Sequence, residues 1–281
     1  MVPAAGGRSE AWRGAKWLRF LRRRGTVKCE SFGLSDRGLR RYHNEDAFLV
    51  RDDLGLYVVA DGMGGHAAGE VAADLAVREV EAVIESTRHF ADSTWPSEWD
   101  PGRSLSANRI GQALLAAHRR VTSAVVGNAG LKGMGATIVA ALVDWEQLEA
   151  TVAHVGDSRA YLFANGTLSL LTSDHSWVHE QVVAGLLSEE AARNHPLKNV
   201  VTRALGGMQE PEVDIEERRL AVGDTLLLCS DGLNTMLESN EIAAILARRR
   251  NLETAARELV MEANRKGGND NITVVLARSI P

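Results

Sequence analysis

The chain has 281 residues, 45% of them hydrophobic and 25% charged, a composition that suits one substantial globular domain and excludes wholesale disorder. Its formal charge of −5 hides an asymmetry, because residues 1–28 carry eight basic side chains against Glu10 alone and leave 24 basic and 36 acidic residues to the rest. An acidic body excludes general nucleic-acid binding, which needs a basic face against phosphates, and no apolar run approaches the roughly 20 residues of a membrane span.

The basic N-terminal piece, AWRGAKWLRFLRRRG, lacks the uninterrupted apolar core of a signal peptide. It is expected as a flexible extension over residues 1–28, with a short basic amphipathic helix as the alternative. Strands are predicted from apolar, β-branched runs at Ala47–Val50, Leu56–Ala60, Ala136–Val143, Leu148–Val155, Ala160–Phe163, Leu168–Leu171, Thr225–Cys229 and Ile272–Ala277. Asn165-Gly166, between two of them, is a strong hairpin signal and makes much of the sheet antiparallel. Apolar residues at three- and four-residue spacing predict helices over 67–87 and 106–125, and a later pair over 239–249 and 252–266. Helices that segregate from strands in this way indicate an α+β fold, with one domain over 29–280. Residues 173–211 are polar and helical and read as an inserted flap. The two cysteines, Cys29 and Cys229, are far apart and suit a reducing, cytoplasmic setting with no disulfide framework.

The apolar run LYVVADGMGG stops on Asp61-Gly62, and TLLLCSDGL stops on Asp231-Gly232. One Asp-Gly is an ordinary turn in which glycine supplies a positive φ. Here, however, Asp157 in HVGDSRAY, Asp270 in GGNDNITVV and the pair Glu45-Asp46 also sit beside strand ends. Six carboxylates gathered at one sheet edge repel one another unless cations neutralise them. An oxygen-only donor set suits Mg²⁺ or Mn²⁺ better than Zn²⁺. The glycine-rich stretch GNAGLKGMGAT enters a strand and not a helix, so it offers no helix N-terminus to a phosphate.

SDRGLRRYHNEDAF, ADGMGGHAAGEVAA, GMGATIVAA, HVGDSRAYL, GDTLLLCSDGL and GGNDNITVVLA follow the order found in bacterial PP2C-type, metal-dependent serine/threonine protein phosphatases, and the chain resembles that family over nearly everything after residue 28. The resemblance implies a four-layer α-β-β-α sandwich of two mostly antiparallel sheets flanked by helical pairs. It implies two Mn²⁺ or Mg²⁺ ions, with Asp61 bridging them, Gly62 contributing its carbonyl, Asp231 and Asp270 completing one ion, and Glu45 and Asp46 acting through water. Asp157 matches the acid of a weaker third metal, and Val183 stands where some relatives carry a further acid. Arg41 matches the phosphate-gripping arginine. Two cations on a shared carboxylate lower the pKa of a bound water that attacks phosphorus in line. His66 is the candidate general acid for the leaving alkoxide, with a structural hydrogen bond as its competing role, while His43 and His154 are expected to be structural and His175 and His179 belong to the flap.

The resemblance further implies phosphorylated proteins as partners, notably bacterial Ser/Thr kinases and their substrates, and a monomer is expected. A pseudophosphatase that binds phosphoproteins without turnover would predict an eroded carboxylate set, and the set is intact. Substrate choice is expected to lie in the flap and in the loop around Trp95-Pro96.

Overall fold

The computed structural model describes residues 16–22, 28–64, 68–88 and 100–280. Its strands form two sheets in which every neighbouring pair is antiparallel. One sheet orders β1 (Lys16–Arg22), β2 (Lys28–Asp36), β11 (Ile272–Ile280), β10 (Thr225–Cys229), β7 (Arg159–Ala164) and β8 (Thr167–Leu170). The other orders β3 (Asp46–Arg51), β4 (Leu56–Met63), β5 (Gly135–Asp144), β6 (Glu149–Val155) and β9 (Asp214–Arg219).

Side chains of a strand alternate between faces, and that alternation sorts this core into three apolar layers. Tyr57 and Val59 of β4 meet Leu226 and Leu228 of β10 and Val275 and Ala277 of β11 in a layer between the sheets. Leu56, Val58 and Ala60 point the other way, onto helices α1 (Ala68–Ser86) and α2 (Leu105–Gly127). Leu227, Val274 and Leu276 pack on α6 (Ser239–Arg248) and α7 (Leu252–Arg265). Strands covered on both faces read as continuous apolar runs, which is why the sequence announces them. The result is an α-β-β-α sandwich of the α+β class.

All eight predicted strands are present, and Asn165-Gly166 closes the β7–β8 hairpin with both residues at positive φ. Three strands differ from expectation. β2 carries Ser31, Gly33 and Ser35 around Phe32 and Leu34, so no apolar run marks it. β9, DIEERR, is an edge strand that among the described residues pairs only with β6, and its half-buried and exposed positions tolerate charge. β1 lies within the stretch expected as an extension, and its Lys16–Arg22 pairs along β2 from Lys16↔Ser35 to Arg22↔Cys29. Without it β2 would present an edge of unpaired backbone groups.

Residues 173–211 carry the short helices α3 (Trp177–Val183) and α4 (Glu189–Arg193). The segment is tied down at two bridges, Ser176↔Val201 and Ala136↔Leu205.

Candidate metal centre

Strands of both sheets end at one edge, and each delivers an acid there. Asp46 opens β3 directly opposite Asp61 on β4, a placement that is destabilising for two like charges. Beyond the end of β10, Asp231 is the first residue of the one-turn helix α5 (Asp231–Asn234). Asp270 precedes β11, and Asp157 lies in the turn between β6 and β7. Burial, then the charges of Asp46, Asp231, Asp270 and Asp157, push the Asp61 carboxyl well above the usual carboxylate range. Burial with Asp157, Asp270 and Asp46 does the same to Asp231. Asp157 is raised to about 6 by burial and by Asp174. Five aspartates predicted from separate motifs therefore share one electrostatic neighbourhood.

Neither Asp-Gly glycine takes the positive φ expected of a turn. Both are required by close backbone approach. A Cβ on Gly62 would lie 2.0 Å from the Gly69 carbonyl oxygen, and one on Gly232 would lie 2.0 Å from that of Asn271. At Gly69, on the first turn of α1, a Cβ would meet both Glu45 Oε2 at 2.7 Å and the Gly62 carbonyl oxygen at 2.8 Å. The Glu45 carboxylate and the Gly62 carbonyl thus converge on one point beside the acids. Burial raises the Glu45 carboxyl, and Arg41 opposes the rise.

Asp46 is 4% exposed. Its Oδ2 accepts from Ser230 Oγ at 2.7 Å and Thr273 Oγ1 at 2.6 Å, and Ser35 and Asn44 extend the chain of hydrogen bonds. Burial nevertheless outweighs these donors and pushes its carboxyl to about 7. Among the described residues, Oδ1 of Asp46 and Oδ1 of Asp231 are buried and unpartnered. Such orphans are costly, and they are the observation a bound cation or its waters would explain.

Arg41 donates from Nη2 to Asp270 Oδ2 at 2.6 Å while its side chain stays 51% exposed. Asn271 fastens the loop that carries it: its Nδ2 donates to the carbonyls of Arg37 and His43, and its Oδ1 accepts from Glu45 N–H. Sequence reasoning singled out neither Asn271 nor Ser230 and Thr273, although each is adjacent in sequence to a predicted acid or strand end. His66 and Trp95-Pro96 lie outside the described residues. Val183, on α3, is exposed and supplies no acid.

A second set of ligand-type atoms, from His154, His175 and Asp214, lies within 4.8 Å of one another. It is separate in character from the carboxylate edge. The Arg203 guanidinium reaches Asp214 at 3.1 Å and His175 Nε2 at 3.3 Å, so a cation is already in place. The rings of His154 and His175 stack at 4.6 Å, and burial holds both below the ordinary histidine range. His154 Nε2 pairs with the Ser173 carbonyl, which agrees with a structural role.

The profile of the protein phosphatase 2C family matches residues 40–266. The chain belongs to the protein phosphatase 2C family. Membership makes it an enzyme, a protein phosphatase and hence a phosphoric monoester hydrolase. It is 42% identical to the serine/threonine phosphatase stp of Listeria welshimeri over 86% of this chain and 92% of that one. It is 39% identical to the serine/threonine protein phosphatase PstP of Mycobacterium tuberculosis over 86% of this chain and 43% of the longer relative. The phosphatase superimposes on the crystal structure of Mycobacterium tuberculosis PstP/Ppp with a TM-score of 0.78, at 33% identity and covering 90% of this chain and 99% of that one. The PstP catalytic domain solved with 2 manganese ions aligns at a TM-score of 0.76 and 32% identity, covering 91% of this chain and 100% of that one. The four-layer architecture implied by the sequence motifs is therefore the family fold. No helix among the described residues is long and apolar enough to cross a membrane.

Proposed function

We propose that this phosphatase hydrolyses phosphoserine and phosphothreonine in proteins with the help of two divalent cations, Mn²⁺ or Mg²⁺, and a weaker third. The observation that carries the reading is the pair of buried, unpartnered carboxylate oxygens on Asp46 and Asp231 inside a cluster of five aspartates. Oxygen donors alone, several of them anionic and crowded, fit hard divalent ions. Asp61, the Gly62 carbonyl, Asp231 and Asp270 would hold the two ions, Glu45 and Asp46 would act through water, and Asp157 would serve the third. Ions bound there supply a water of lowered pKa and neutralise charge on the phosphoryl oxygens.

The chain's own residues do the rest. Arg41 is pinned at one nitrogen by Asp270, and its remaining donors are free to grip two phosphoryl oxygens in the planar geometry that suits phosphate. Ser230 and Thr273 hold Asp46 Oδ2 and leave Oδ1 without a hydrogen-bond partner. His66 is the proposed proton donor to the leaving serine or threonine oxygen. Residues 29–280, with β1 paired onto β2, act as one catalytic domain, 173–211 as its flap, and the enzyme works as a cytoplasmic monomer that opposes Ser/Thr kinases.

The test is release of phosphate from a phosphothreonine peptide against Mn²⁺ concentration, with chelator and Asp231→Ala beside wild type. Metal-dependent release that both controls abolish is the expected result. Release that survives either control refutes the reading.

A further inference from the structure

The loop before β3 combines a fastened backbone with exposed side chains. Its backbone is held at Gly38 N–H by Asp36 Oδ1, at Leu39 and Arg40 N–H by the Gly268 carbonyl, and at Arg37, His43 and Glu45 by Asn271. Yet Arg37, Leu39, Arg40, Arg41, Tyr42 and His43 are all exposed, Leu39 at 65% and Tyr42 at 90%. Among the described residues, neither Arg37 nor Arg40 has a carboxylate partner, and the one side-chain bond of the pair runs from Arg37 to the Tyr42 carbonyl. A rigid loop that leaves a large aromatic, a leucine and the Arg40 guanidinium in water gains little for folding from those side chains. It is preorganised for contact, because the cost of ordering the backbone is already met in the free protein.

Resting on the site reading above, in which Arg41 meets the phosphate, we propose that residues 37–43 form the platform that reads the residues flanking the phosphorylated side chain. Charge fixes the partner. No acidic residue occurs from Arg37 to Asn44, whereas the chain beyond residue 28 has 24 basic against 36 acidic residues, so this is a cationic patch on an acidic body. It complements a phosphopeptide with aspartate, glutamate or a second phosphate beside the phosphorylated residue. Leu39 and Tyr42 add apolar contact for a side chain of that segment.

The experiment compares kcat/KM for phosphothreonine peptides with acidic and with basic flanks, and for a small aryl phosphate as the internal reference, in wild type, Arg40→Glu and Tyr42→Ala at low and at physiological salt. Wild type is expected to favour the acidic peptide by about tenfold at low salt, a sum of a few exposed charge pairs, and less at higher salt. Arg40→Glu is expected to remove or invert that preference, and Tyr42→Ala to lower both peptides relative to the aryl phosphate. Equal rates on the two peptides in wild type, or a preference that survives Arg40→Glu, overturn the platform while turnover of the aryl phosphate keeps the site reading intact. Failure to hydrolyse any of the three overturns both.

Discussion

Replacing Asp46 by asparagine isolates the cost of holding an anion at this edge. The wild-type carboxyl is moved from 3.8 to about 7 by burial, against two hydroxyl donors. A folded pKa above the unfolded one means that the folded state keeps a proton the unfolded chain has released. Wild-type stability without metal therefore falls as pH rises from about 4 to about 7 and is level above that. The interval is worth about 4 kcal/mol at pH 8 and about 2 kcal/mol at pH 5. Asparagine keeps an acceptor for Ser230 and Thr273 and carries no charge. In chelator, Asp46→Asn is expected to unfold roughly 10 °C above wild type at pH 8, with the gap about halved at pH 5. Contributions of the buried histidines cancel in the difference. Addition of Mn²⁺ should reverse the order, because ligand binding stabilises the wild type by mass action, while Asp46→Asn loses phosphatase activity. Thermal melts with chelator or Mn²⁺ at the two pH values decide the matter. A variant less stable than wild type in chelator at pH 8, or a gap that ignores pH, would refute the reasoning.

Two other substitutions probe the same edge. Arg41→Lys keeps a charge near Asp270 but loses the planar fork, so KM for a phosphopeptide should rise and kcat/KM should fall by about one order of magnitude, read from steady-state rates at saturating Mn²⁺. Gly232→Ala drives a Cβ to 2.0 Å from the Asn271 carbonyl oxygen, a backbone clash expected to cost about 3 kcal/mol and to appear as a lower urea midpoint.

Legibility in the sequence followed burial. Strands covered on both faces, such as β4 and β10, stand out as apolar runs, and the acids that terminate them stand out by contrast. β9 escaped because an edge strand needs no apolar face, and β1 because its partner's need for backbone hydrogen bonds leaves no mark on its own composition. At the site, the acids and Arg41 were legible because their motifs recur in order. Asn271, Ser230 and Thr273 were not, since their importance lies in backbone groups and carboxylate oxygens that folding brings from distant segments. The glycines of the two Asp-Gly pairs were seen for the wrong reason: their sequence suggested positive φ, whereas the fold uses their missing Cβ to let chains touch.

The central claim is that this edge binds two cations through a shared Asp61, and Mn²⁺ titration of chelator-treated protein by calorimetry tests it most directly. Two tight sites and one weak site are expected in wild type. Asp61→Asn should lose both tight sites together, and Asp157→Asn should lose only the weak one. A wild type that binds a single ion or none, or an Asp61→Asn protein that keeps both tight sites, would contradict the account.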